Sequence, residues 1–499
     1  KGGEWQKALA LLSDMATKAG LGSEHLKDLS ENDQALVKGW GHQGDSDSEA
    51  SAPCLDDEDG VVSPSRRRAI SACRDAVESA GLSLELLHSW NFNPLELDRA
   101  RVQAAAQFFV GPQSHKLQFD NLAMVQFLEV AEAGYSKTVP YHSWYHAVDV
   151  THFVFNATRV CNADMYLSQG ERYALLVSST CHDLGHPGYN NMFLVETSAE
   201  LALRYNDKSP LENMHCARLF EIVAIPRCNI LSQLTKPQFL EVRKICIESI
   251  LHTDNAHHFS MVKDVQMLYE VHKDDGFDMY DINDSEVLDI LRRADTRRLL
   301  VKLFLHVADV SNCMKPFRIC RIWAMKVLDE FFLQGDEEKR LGVPVQALND
   351  RDKVNRPFSQ IGFVEFLVAP LAFAVVRVLR PMEFCALQMM QNAKSWQQIW
   401  LTEVKPPPSD AEMKALNDRV MKLEATSMEI GRDRNSKRQV GSTLSVPSKP
   451  SRSVRGSVHL ALDVSPRQSG QTIQSSTSSL KPTLLVPGRP SSSSTSPPL

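Results

Sequence analysis

The residues best suited to chemistry begin with Cys181-His182-Asp183-Leu184-Gly185-His186-Pro187-Gly188. An imidazole and a carboxylate stand on adjacent residues, and a carboxylate has two oxygens with which to bridge two cations. His186, four residues after His182, is expected on the same side of a helix turn that Pro187 and Gly188 stop. Upstream, Tyr141-His142-Ser143-Trp144-Tyr145-His146-Ala147-Val148-Asp149 puts His142 and His146 four apart, on one expected helix face, with Asp149 near it. Such a histidine pair alone is more often a satisfied core or surface pair. Downstream, Asp309 ends the apolar stretch Leu305-His306-Val307-Ala308. An aspartate there is costly to bury without a partner, or else caps a helix near Ser311-Asn312. His182 and Asp183, 36 residues beyond His146, turn these separate weak signals into one candidate metal site.

The elements that must position these residues read as helices. Apolar residues recur at helical spacing, as in Leu122, Val125, Leu128 and Ala131, and again in Leu299, Leu300, Leu303 and Phe304. No alternating strands and no repeats are evident. The expected fold is all-α: a compact multi-helix domain over residues 71–407. It follows an N-terminal helix and acidic flexible linker at 1–70 and precedes a helix at 408–430. That helix opens with a capping box, Ser409-Asp410-Ala411-Glu412, and is expected to dock back on the domain through Met413, Leu416, Val420, Leu423 and Met428. A disordered Ser/Pro-rich basic tail at 431–499 closes the chain. Ser63-Pro64-Ser65-Arg66-Arg67-Arg68 reads as solvated linker rather than a kinase site.

Composition narrows the function classes. The 499 residues are 43% hydrophobic and 23% charged, ordinary for a globular protein, and the net charge of −6 argues against bulk nucleic-acid binding. Ten cysteines without paired spacings suggest reduced thiols, hence an intracellular, cytoplasmic setting. No signal peptide and no membrane-spanning apolar run is expected. The chain opens on Lys1, which leaves room for a longer protein with targeting or regulatory regions.

The motif around His182 resembles the metal core of the class I cyclic nucleotide phosphodiesterases, a branch of the HD-domain metallohydrolases. Further segments match in order: Asn190-Asn191-Met192-Phe193-Leu194, Leu201 to His215, Thr253-Asp254 and Ser359-Gln360-Ile361-Gly362-Phe363. The resemblance covers about residues 100 to 400. It implies that His146, His182, Asp183 and Asp309 ligate a first metal, with Asp183 bridging to a second. The second ion would be held mostly by water, with His186, Glu212, His215 and Thr253 around it. Mixed N/O ligation suits Zn²⁺ at the first site, and a water-rich oxygen site suits Mg²⁺ or Mn²⁺ at the second.

The implied reaction is hydrolysis of a 3′,5′-cyclic nucleotide, cAMP or cGMP, to the nucleoside 5′-monophosphate. Two cations about 4 Å apart lower the pKa of a bridging water toward about 7, so hydroxide attacks the phosphorus. His142 protonates the leaving 3′ oxygen, kept charged by a carboxylate that the family pattern assigns to Glu212. The pattern also assigns base recognition to Gln360, stacking to Phe363 and Val327, and a polar lining to Asn312. His142, Asp183 and Asp309 complete the nucleotide contacts. Val327 and Phe331 read equally well as core.

Two departures, Ser143 for the usual Asn and Met214 for a first histidine before His215, touch no ligand. Cys181 reads as a packed thiol, and Asp281-Ile282-Asn283-Asp284 lacks the glycine and distal glutamate of a calcium loop. The alternatives are another HD-type phosphohydrolase, which would not require Gln360-x-x-Phe363, and an inactive nucleotide-binding scaffold, which would have lost a ligand. Pairing of two chains and phosphorylation of the tail stay open.

Overall fold

The computed structural model describes residues 64–442, apart from 113, 116, 118–119 and 274–284. The expected helix at 5–19, the linker at 41–59, the segment 281–284 and the tail beyond 442 lie outside the described residues. The α-helices of eight residues or more are numbered in chain order. They are α1 Pro64–Ser79, α2 Arg99–Val110, α3 Asn121–Gly134, α4 Trp144–Val160, α5 Gln169–Cys181, α6 Pro210–Ala224 and α7 Lys236–Leu251. There follow α8 His258–His272, α9 Ala294–Asp309, α10 Phe317–Leu341, α11 Arg356–Phe363, α12 Ala369–Val378, α13 Glu383–Glu403 and α14 Asp410–Ser442. Among the described residues there is no strand, and the fold is all-α as the sequence predicts.

Helices α4, α7 and α9 all pack against α5, and α9 also packs against α4 and α7. Their sequences explain why. From Ala147 to Ala157 every residue of α4 is buried, the mark of a helix enclosed on all sides. Its polar members need internal partners, and Asp149 finds one in Lys315 Nζ at 2.5 Å, both side chains buried. Asp149 thus belongs to the packing and not to the metal residues. Helix α5 starts at a capping box, Ser168 Oγ accepting from the Glu171 amide and Glu171 Oε2 accepting from the Ser168 amide. Arg297 Nε of α9 donates to both oxygens of Glu171, at 3.0 and 3.1 Å, and so sets α9 alongside α5. With their starts tied, α5 and α9 also end near each other, and both ends carry candidate ligands.

Helix α10 passes against the neighbouring loop at Gly335, where a Cβ would lie 2.0 Å from the Asn349 carbonyl oxygen. Asn392 Nδ2 of α13 donates to the carbonyls of Cys313 and Lys315, at 2.8 and 2.7 Å, and so holds the turn Ser311–Met314 that follows α9.

Some boundaries differ from expectation. The division drawn at residue 70 falls inside α1, whose Arg66 Nη2 donates to the carbonyls of Pro112 and His115. Helix α14 runs past residue 430 to Ser442. It docks as expected, with Leu416 and Val420 buried and Met413 and Leu423 against the core, while Met428 is exposed. The run Arg356–Val378 is long and apolar enough to cross a bilayer, contrary to the expectation that no such run exists. Its apolar window is 56% buried inside the fold, so core packing accounts for its composition.

Candidate metal centre

Three helix ends deliver the four candidate ligands. His146 stands in the first turn of α4, His182 caps α5, Asp183 follows it, and Asp309 is the last residue of α9. His146 Nε2 lies 3.0 Å from Asp309 Oδ1 and 3.4 Å from Asp183 Oδ2. His182 Nε2 lies 3.1 Å from Asp183 Oδ2, 3.3 Å from Asp309 Oδ1 and 3.3 Å from His146 Nε2. All four ligand atoms fall within 4.8 Å of one another. His182 Nδ1 donates to the Ser179 carbonyl at 2.9 Å, which leaves the Nε2 lone pair facing the cluster. Asp183 Oδ2 is buried without a hydrogen bond. Two imidazole nitrogens turned toward each other and an unsatisfied carboxylate oxygen between them fit a divalent cation. The neighbouring imidazoles offset burial and hold the Asp183 carboxyl well below the usual range.

The helix geometry read from the His-x-x-x-His spacings is corrected at both motifs. Helix α5 stops at Cys181, and a turn containing Gly185 at φ +84° carries the chain to His186. That left-handed glycine also lets Arg218 approach, since a Cβ would lie 2.4 Å from its Nη1. His142 precedes the α4 N-cap Ser143 and so is not on the helix with His146. Its ring still stacks on His186, with centroids 3.9 Å apart.

Glu330 of α10 governs His142. Its Oε1 accepts from His142 Nδ1 in a very short hydrogen bond, and its Oε2 accepts from the amides of Tyr141 and His142 at 2.8 and 3.1 Å. Burial would lower the His142 pKa, but the Glu330 charge overcomes this and raises it to about 9. Burial likewise opposes the Glu330 carboxylate, which His142 holds down at about 2. The carboxylate beside His142 is therefore Glu330 and not Glu212. Glu212 Oε2 instead accepts from Asn191 Nδ2 at 2.9 Å, and burial, reinforced by the Asp254 charge, pushes its carboxyl up to about 8.

The remaining candidates divide. His215 Nδ1 donates to the Leu184 carbonyl, and its Nε2 lies 3.8 Å from Asp183 Oδ1. His186 Nδ1 accepts from the Gly188 amide. Thr253 is buried with Oγ1 donating to the Ile250 carbonyl, a contact that does not join it to the cluster. Asn312, three residues past Asp309, has a buried Oδ1 without a partner. Gln360 is buried on α11, with half-buried Phe363 one turn later. Val327 is half-buried beside Tyr141, Ile319 and Trp323.

The sequence model of the 3′,5′-cyclic nucleotide phosphodiesterases matches residues 141–390, half of the chain. The chain belongs to this family. All the phosphodiesterase site residues named above fall inside the match. A human relative, the high affinity cGMP-specific 3′,5′-cyclic phosphodiesterase 9A, is 32% identical over 59% of this chain and 46% of its own length. A 3′,5′-cyclic-AMP phosphodiesterase, isoform F, of Drosophila melanogaster is also 32% identical, over 59% of this chain and 43% of its own length. The chain thus spans less than half the length of these curated relatives. The phosphodiesterase domain of the Salpingoeca rosetta rhodopsin phosphodiesterase superposes with a TM-score of 0.56 at 26% identity, covering 65% of this chain and 94% of that one.

Sequence reasoning missed Glu330. The signal was present: Trp323, Val327, Glu330 and Gln334 follow the seven-residue stripe of one α10 face, and an acid on a stripe that begins with a buried tryptophan needs a partner.

Proposed function

We propose that the chain hydrolyses a 3′,5′-cyclic nucleotide to the nucleoside 5′-monophosphate. The observation that carries this reading is the His146, His182, Asp183 and Asp309 cluster with a charged His142 at its edge. When bound, a pair of divalent cations supplies positive charge for the phosphoryl oxygens and acidifies water. His146, His182, Asp183 and Asp309 would hold the first cation, Zn²⁺ by donor chemistry. Asp183 would reach a second, Mg²⁺ or Mn²⁺, with His186, Glu212, His215 and Thr253 in its surroundings.

His142 acts as general acid. Its Nδ1 proton is committed to Glu330, so the Nε2 proton is the one it can give to the departing 3′ oxygen. The phosphorus–O3′ bond breaks as a water oxygen bonds to phosphorus; O3′ takes the His142 Nε2 proton, the attacking water gives one proton to solvent, and solvent returns one to His142. Glu330 holds the imidazolium charged and fixed by gripping the ring and the amides of Tyr141 and His142. Gln360 offers a donor and an acceptor to the purine edge, Phe363 and Val327 flank the ring, and the partnerless Asn312 Oδ1 awaits a donor. One amide can read either purine by turning over, so both cAMP and cGMP are candidate substrates. The nine described cysteines, all free and buried, support a reducing, cytoplasmic setting. Pairing of two chains and phosphorylation of the tail fit this reading without being required by it.

Incubation with cAMP and with cGMP, with Mg²⁺ or Mn²⁺ and after chelation, tests the proposal by chromatography. Metal-dependent 5′-AMP or 5′-GMP is expected. Phosphate release from nucleotides without ring opening would favour the general phosphohydrolase, and no turnover by metal-loaded protein would favour the scaffold.

A further inference from the structure

We propose that Arg419 of α14 is a positioning residue for the base-reading segment and fixes Gln360 and Phe363 for the purine, a role that rests on the cyclic nucleotide reading above. Arg419 Nε and Nη2 both donate to Glu365 Oε2, at 2.8 and 2.5 Å. The same guanidinium lies over two rings, 5.2 Å from the centroid of Phe358 and 5.6 Å from that of Phe366. Phe358 stands two residues before Gln360, and Glu365 two residues after Phe363. A single side chain from outside the segment therefore grips both of its flanks.

The segment has reason to need a grip. Helix α11 ends at Phe363, and the backbone passes at once into a π turn, Val364–Val368. Such turns are rare and mark functional sites. A glutamine that reads a base by its two amide atoms discriminates only if its backbone is held still, because a shift near 1 Å costs roughly 10²-fold in rate. Trp400 of α13 backs Phe358 from another side, with centroids 6.0 Å apart. The far end of the clamp is anchored: Leu416 and Val420 flank Arg419 along α14 at 1% and 3% exposure, and Lys394 Nζ meets Glu424 Oε1 at 2.6 Å. Helix α14 is in this sense part of the nucleotide pocket, although it carries none of the pocket's contacts.

An ordinary ion pair of this kind would act on stability and leave kinetics alone. The test separates the two roles in the full chain, comparing wild type, Arg419→Gln, Arg419→Lys and the charge swap Arg419→Glu with Glu365→Arg. Hydrogen exchange over residues 356–368 is measured without nucleotide, and KM and kcat with cAMP and cGMP. Arg419→Gln should speed exchange in 356–368 but not in 144–183. It should raise KM about five-fold or more with kcat held within about two-fold, the lysine and the swap recovering part of the loss. Unchanged exchange, or a fall in kcat at constant KM, would overturn the proposal. If wild type hydrolyses neither nucleotide, the functional reading fails by itself, and the exchange of 356–368 still decides whether Arg419 holds the segment.

Discussion

His142 shows how one carboxylate converts a buried imidazole into an acid. With an ordinary value of 6.5 raised to about 9, it is protonated at neutral pH. Its contribution to stability is fully present below pH 6.5 and is lost as pH rises through about 9. Glu330, lowered from 4.5 to about 2, contributes fully above pH 4.5 and loses that contribution as pH falls through about 2. The pair therefore stabilises the fold in full only between these windows, from pH 4.5 to 6.5. Replacing Glu330 by Gln should move the basic limb of the kcat profile to or below the ordinary histidine value. At pH 8 this amounts to roughly a thirty-fold loss, and much less at pH 6, read from initial rates. Replacing His142 by Asn should lower kcat by about 10²–10⁴-fold while metal content, measured by plasma mass spectrometry, stays at the wild-type level. Residues of this kind were legible where several rare types fell together, as at His182-Asp183 and His142 with His146. Glu330 could be suspected as an acid on the Trp323 stripe, but its partner could not be read off, because His142 lies 188 positions away.

At the scale of elements, the site is a meeting of helix ends. Periodicity gave helices, and the apolar stretch before Asp309 foretold the burial of that end of α9. It could not give where α5 stops, because Gly185 and its left-handed backbone, not Pro187, turn the chain. Nor could it show that His142 lies ahead of its helix. Helix α10 carries the second layer of the site, and its placement depends on Gly335. Gly335→Ala should destabilise the protein by about 1–3 kcal/mol, since its methyl would meet the Asn349 carbonyl. A denaturant midpoint equal to wild type would contradict that. Lys315→Met strands the Asp149 carboxylate inside α4 and should cost about 3–5 kcal/mol, seen in the same titration.

For the whole molecule, a cation held by the four candidate ligands would work as a staple. It would join the start of α4 to the ends of α5 and α9, which are distant in sequence, so metal should bind the folded chain and not the unfolded one. Chelation should lower the unfolding midpoint, a cation at a hundred times its dissociation constant being worth about 2.7 kcal/mol. The all-helical class was readable from composition and pattern. The start of α1 was not, because Arg66 reads as linker until its carbonyl partners are known. The central claim is that His146, His182, Asp183 and Asp309 share one cation. Anomalous scattering at the zinc edge from metal-soaked crystals tests it most directly. A peak about 2.0–2.2 Å from His146 Nε2, His182 Nε2 and a carboxylate oxygen of both aspartates is the predicted result. A peak elsewhere, or one that Asp309 does not touch, would contradict it.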